Sequence, residues 1–142
     1  MTTRAMMIRD RASAALGMVV ERDEPGVAIV SMRVRDDMLN GFGVTHGGIV
    51  FSVADTAFAI ACNEDENVTL AAGADITFLK PTTSGQTLTA TARLRSKTGR
   101  SGIYDVQVTD ETADVVAEFR GRSRTTGPAR GADPAPAPGA SA

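Results

Sequence analysis

Hydrophobic residues recur with three different spacings along the chain. Residues 18–34, "MVVERDEPGVAIVSMRV", alternate with a period near two on either side of "DEPG". That pattern predicts a hairpin whose inward positions are Val27, Ile29 or Val30, Met32 and Val34. From about Gly47 to Cys62 the alternation gives way to an almost unbroken apolar run, long enough for four helical turns. After it, "VTLAAGADITFLK", "QTLTATARLRSK", "SGIYDVQVTD" and "DVVAEFRGRSRTT" return to strand character, rich in Val, Ile, Thr, Phe and Tyr. They are separated by "PTTSG", "TGR" and "ETA", links too short for parallel crossovers, so the strands pair mostly antiparallel. Ahead of all these, Met6 to Leu16 is imperfectly amphipathic and closes at Gly17, which predicts one short helix with a glycine stop.

The expected architecture is therefore α+β: a short N-terminal helix, then one long helix against a strongly twisted six-stranded antiparallel sheet. Residues 1–126 form a single domain, and 127–142, an Ala/Pro-rich tail with nothing to bury, is expected to be disordered. No internal repeat is evident. A helix that is apolar nearly all round must be covered on more than one side, and the open edges of the sheet invite a second copy. A dimer at least is expected.

Composition narrows the class. A chain of 142 residues, 42% hydrophobic, supports one core. Its formal charge of -2 is scattered rather than blocked, giving no electrostatic reason to expect nucleic acid or a membrane surface. One cysteine, Cys62, cannot form an internal disulfide, and with one histidine it falls short of a zinc ligand set. No metal or bound cofactor is expected. The N-terminus lacks the uncharged apolar core of a secretory signal, and no stretch is long enough to span a membrane. The expected location is the cytoplasm.

The candidate chemistry sits on the long helix. Between Ile49 and Cys62 the polar side chains are Ser52, Asp55 and Thr56, on one stripe that continues back to Gly48. Glycines at a helix start leave unsatisfied N–H donors approachable by a ligand, at the positive end of the helix dipole. Such a donor stabilises an oxyanion; a carboxylate activates water or attacks a carbonyl itself. Gly48 and Asp55 are about 10 Å apart along the helix, too far to serve one carbon. If both act, the site combines the helix start of one protomer with the Asp of another.

Plainer readings exist for each residue. Asp55 could be a structural carboxylate satisfied by Ser52, Thr56 or backbone. His46 reads first as a hydrogen-bonding group at the helix start, and Asn40 before Gly41 as an Asx turn. Gly41-x-Gly43-x-x-His46 lacks the third glycine of a dinucleotide fingerprint, and there is no serine-hydrolase elbow or Walker A sequence.

Taken together, "MLNGFGVTHGGIVFSVADTAFAIACN", "ITFLKPTTSGQTLTATA" and "GIYDVQVTD...VVAEFRGRSR" closely resemble the hotdog-fold acyl-CoA thioesterases of the phenylacetic acid degradation pathway, over roughly Ala15 to Thr125. The resemblance implies a hotdog fold, sheets paired edge to edge in a dimer, dimers often joined into tetramers, and hydrolysis of aryl- or phenylacetyl-type CoA thioesters. It makes Asp55 the nucleophile or general base and Gly47 the oxyanion amide. Asn40 then orients the thioester or water, and His46 shapes the loop and holds the substrate carbonyl. Within that loop Phe42 to Thr45, "FGVT", departs from close relatives, beside the acyl pocket. Gly48, Ser52 and Thr56 line the substrate side, while Lys80, Arg95, Lys97, Arg100 and Arg122 are candidates to hold the CoA phosphates. Two further readings keep the fold: an enoyl-CoA hydratase or dehydratase using His46 with Asp55, and a non-catalytic acyl-CoA binder.

Overall fold

The computed structural model describes residues 3–63 and 65–128. Two short helices, α1 (Thr3–Arg9) and α2 (Arg11–Ala15), precede the hairpin of β1 (Val19–Glu24) and β2 (Val27–Arg33). A single 3-10 turn at Asp36–Met38 leads into the loop before α3 (Gly47–Cys62), and β3 (Asn67–Phe78), β4 (Thr87–Thr98), β5 (Ser101–Thr109) and β6 (Val115–Pro128) follow. All pairs are antiparallel in the order β1-β2-β4-β5-β6-β3. The long helix wrapped by a six-stranded sheet is as expected.

The expected single N-terminal helix is instead two. Asp10 accepts from the Ser13 amide at 2.8 Å and so caps α2; a side chain that satisfies a new helix start ends the previous one. The break lets the arm turn, and Met6, Met7 and Leu16 pack on the core. In the hairpin, Gly26 takes a left-handed φ of 72° at the turn. Val30, Met32 and Val34 face inward, but their partner is Ala28 rather than Val27, because the strand keeps one alternation throughout.

The link after β3 is not a hairpin. Residues 79–86 cross the end of the sheet from β3 to β4, which lie three strand positions apart, about 14 Å at the usual strand spacing. The crossing is braced: Leu79 and Lys80 amides donate to Val116 O at 2.8 and 3.2 Å. The Lys80 ammonium reaches Asp110 at 2.6 Å and Asp114 at 2.7 Å.

The core lies between α3 and the concave face of the sheet. Val53, Ala54, Ala57, Phe58 and Ile60 pack against Met32, Leu88, Ala90, Val106 and Phe119. Small residues on the sheet let the helix approach closely. At the tightest point a Cβ on Gly121 would stand 2.7 Å from the Phe58 ring. β6 runs through Gly127 and Pro128, which pair with Val68 and Asn67, so the strand extends two positions into the segment expected to be a tail. The rest of that segment, residues 129–142, lies outside the described residues.

Candidate active site

The start of α3 is built by hydrogen bonds from three sides. The loop before it is an Asx turn, as expected: the Asn40 side-chain oxygen accepts from Phe42 N at 2.8 Å and Val44 N at 3.4 Å. Gly43 closes the turn with φ 76°. The Asn40 side-chain nitrogen has no acceptor among the described residues. Thr45 is fixed to Thr82 through backbone (2.8 Å) and hydroxyl (2.7 Å), and His46 N donates to Met38 O at 2.8 Å.

These bonds aim two successive amides differently. His46 is the N-cap, and its Nδ1 accepts from Gly48 N at 2.9 Å. With Nδ1 an acceptor, the ring proton of neutral His46 sits on Nε2. Gly48 is thereby spent as a donor. The Gly47 N–H has no acceptor among the described residues. It opens into a cavity of about 360 Å³ lined by Asn40, Thr45, Gly47, Phe78, Lys80 and Pro81. Phe78 explains the glycine, since a Cβ on Gly47 would meet its ring at 3.1 Å.

Two turns along the helix the polar stripe divides. Ser52 Oγ donates to Gly48 O at 2.7 Å, and Thr56 turns inward to Ser13 Oγ at 2.9 Å. Neither reaches Asp55, whose carboxylate has no hydrogen-bond partner among the described residues. No side-chain oxygen there is both fully buried and unpartnered, so the Asp55 oxygens face open space. That space is two cavities. One, about 310 Å³, is largely apolar and lies toward β3, with Met6, Phe58, Cys62, Val68 and Leu70. The other, about 300 Å³, lies under α2 with Asp10, Ser13, Met18, Ser52 and Thr56. Burial first, and then the negative charge of Asp10, raises the Asp55 pKa above the usual aspartate range.

The structure therefore brings Asn40 and Gly47 to one cavity, with His46 capping the helix start beside them, and leaves Asp55 at others. Eight residues of helix, about 12 Å, separate Gly47 from Asp55. The candidate phosphate ligands also part company. Lys80 is held between Asp110 and Asp114, which push its pKa above the usual lysine range, while Asp110 falls well below the usual carboxylate range. Arg95 pairs with Asp105 at 3.3 Å and Arg122 with Asp75 at 2.9 Å. Lys97 and Arg100 carry no ion pair among the described residues and lie at the β4–β5 turn, far from the start of α3. What sequence reasoning missed is the arm: Asp10 and Ser13 reach the polar side of Asp55. The available signal was an Asp three residues before a Ser, interrupting an expected helix.

Relatives bear on this arrangement. The family profile of the thioesterase superfamily matches residues 42–117, which span the loop, α3 and the strands through the start of β6. The chain belongs to the thioesterase superfamily. It is similar to acyl-coenzyme A thioesterase PaaI of Escherichia coli (strain K12), with 42% identity over 87% of this chain and 88% of that protein. The solved structure of E. coli PaaI, from the phenylacetic acid degradation operon, superposes with a TM-score of 0.87 at 41% identity, over 89% of this chain and 92% of that one. A mutant of phenylacetic acid degradation protein PaaI from Thermus thermophilus gives a TM-score of 0.79 at 32% identity, over 82% and 100%. The hotdog architecture is thus that of the thioesterases, and the matched segment contains Gly47 and Asp55 but not the arm. Among the described residues no cluster of His, Cys, Asp and Glu could hold a metal, and no helix is long and apolar enough to cross a membrane.

Proposed function

We propose that this thioesterase hydrolyses aryl- or phenylacetyl-type CoA esters in the cytoplasm, with Asp55 as general base and the Gly47 amide of a second protomer as oxyanion donor. The observation that carries the reading is that the Asp55 carboxylate and the Gly47 N–H are both unpartnered among the described residues yet border different cavities. Similarity to PaaI over most of both chains supports the substrate class.

β3 supplies the geometry. It is an edge strand, and its exposed apolar residues include Leu70 toward one end and Phe78 at the other. Leu70 lines the Asp55 cavity, and Phe78 lines the Gly47 cavity. Pairing β3 antiparallel with its copy about a two-fold axis sets the Phe78 end of one strand beside the Leu70 end of the other. That brings each Gly47 toward the partner subunit's Asp55 and covers an edge that would otherwise be an aggregation hazard.

The chemistry balances with no further group. Water attacks the thioester carbon while one of its protons passes to Asp55. The carbonyl oxygen, now an oxyanion, accepts the Gly47 N–H. As the carbonyl re-forms, the carbon–sulfur bond breaks with its electron pair on sulfur. The CoA thiolate leaves and takes up a proton, and Asp55 returns its own to solvent. A carboxylate raised above its ordinary range is a better proton acceptor, which suits the general-base role. His46 is occupied as a cap through Nδ1.

The test is release of free thiol from phenylacetyl-CoA, hydroxyphenylacetyl-CoA, benzoyl-CoA and short aliphatic esters, read with a thiol-trapping dye. Aryl esters should turn over fastest. Binding without thiol release, or conversion of an enoyl-CoA instead, would remove this assignment. A single turnover in ¹⁸O-water should place label in the product acid; an unlabelled first product would make Asp55 a nucleophile.

A further inference from the structure

The polar cavity under α2 has an unusual lining. Asp10 and Asp55 contribute carboxylates, and Ser52 and Thr56 contribute hydroxyls. Ser52 has already given its proton to Gly48 O. Ser13 Oγ lies 2.7 Å from Asp10 Oδ2, and a carboxylate only accepts, so the Ser13 proton is committed there. In the 2.9 Å contact between Ser13 Oγ and Thr56 Oγ1, Thr56 must then be the donor. Every side-chain oxygen around the cavity is left as an acceptor.

A cavity lined by acceptors suits a ligand with two hydrogens to donate. At about 300 Å³ it has room for water. An attacking water needs just such a pair of acceptors: one hydrogen goes to the base, the other is parked, and a lone pair is left for the carbon. Asp55 borders both this cavity and the apolar one toward β3, so water and acyl group can approach it from different sides.

We propose that Asp10 is a positioning residue for hydrolysis: through Ser13 it fixes Thr56 as an acceptor, and the attacking water sits between the Thr56 oxygen and Asp55. The inference rests on the thioesterase reading. It gives the N-terminal arm a function beyond packing. Among the described residues the titratable groups facing Asp55 are Asp10 from the arm and the Cys62 thiol from its own helix; β3 contributes the uncharged Val68, Thr69, Leu70 and Ala71.

The test is Asp10→Asn. Asparagine still caps α2, but its amide nitrogen donates to Ser13, reversing the chain so that Thr56 points a proton into the cavity. The expected result is a fall in kcat on the order of ten- to a hundredfold with KM little changed. The acid limb of kcat/KM should also move to lower pH, because Asp55 loses a negative neighbour. Ser13→Ala breaks the chain but keeps the charge, so kcat should fall while the limb stays. Both variants are assayed at a temperature where circular dichroism shows them folded, and the Asp55 carboxyl is titrated by ¹³C NMR independently of turnover. Asp10→Asn with wild-type kcat and an unmoved Asp55 titration overturns the inference while leaving the thioesterase reading intact. A wild-type protein that releases no thiol from any CoA ester overturns both.

Discussion

The beginning and the middle of α3 solve opposite problems. At the beginning the loop, Thr82, Met38 and His46 satisfy one polar group after another and leave the Gly47 N–H, beside the Asn40 side-chain amide, without an acceptor among the described residues. In the middle the neighbouring hydroxyls are tied to Gly48 O and Ser13 and none of them reaches Asp55. The bonded groups hold shape, and the Gly47 N–H and the Asp55 carboxylate, unbonded among the described residues, are open to chemistry. A donor is preorganised by fixing backbone; a carboxylate becomes more basic where partial burial and a like charge act on it.

The sharpest way to break this contrast is at Asp55. Asp55→Asn keeps the shape and removes the proposed base, so kcat should fall by about 10²–10⁴-fold. The same change should raise the melting temperature at neutral pH. The folded-state pKa of Asp55 is raised. Between the ordinary aspartate value and that raised one, the native state holds a proton that the unfolded state has lost. Stability therefore declines as pH rises through that window, and the ionised form is a net cost above it. A variant that is both inactive and less stable would mean Asp55 has a structural partner.

Gly47→Pro addresses the other end. Gly47 is the first helical residue, where proline is tolerated, and His46 already has the extended φ of −57° and ψ of 133° that a following proline requires. The exposed Phe78 ring must yield slightly. Removing the amide hydrogen should cost about 10²–10³-fold in kcat. If activity survives, another donor serves the oxyanion.

Mixing the two dead variants joins the regions again. Where each site takes Gly47 from one chain and Asp55 from the other, a randomly assorted dimer of Asp55→Asn with Gly47→Pro has one intact site. An equimolar mixture should regain about a quarter of wild-type activity. No recovery after confirmed subunit exchange, or a monomer in sedimentation, would end the two-protomer site. The smallest effect is expected from Gly121→Ala. Its methyl would press on Phe58 beneath the Asp55 cavity, and overpacking of this kind costs about 1–3 kcal/mol. Thiol release should change far less than melting temperature, since the start of the helix is untouched.

Some of this was readable in the chain because it depends on neighbours in sequence. The limits of α3, Gly47 to Cys62, follow from an apolar run bounded by glycines and Asn63, and the hairpin follows from alternation around Pro25 and Gly26. The Asx turn at Asn40 is equally local. The stripe of Ser52, Asp55 and Thr56 was legible as spacing, but not which of its members would be spent on internal bonds. Lys80 looked available for phosphate only because Asp110 and Asp114 are 30 and 34 residues away.

Sequence by itself determined the six strands and the long helix, the helix start with its glycines, and the helical distance that keeps Gly47 from Asp55. Periodicity and backbone geometry act over a few residues, so they can be read without a fold. Tertiary structure alone decided that β3 lies beside β6, that Asp10 reaches the Asp55 cavity, and that Gly47 N–H and Asp55 are left unpaired among the described residues. Hydrogen-bond partners are chosen by proximity in space. A residue becomes a base or a donor through what the rest of the chain does not offer it.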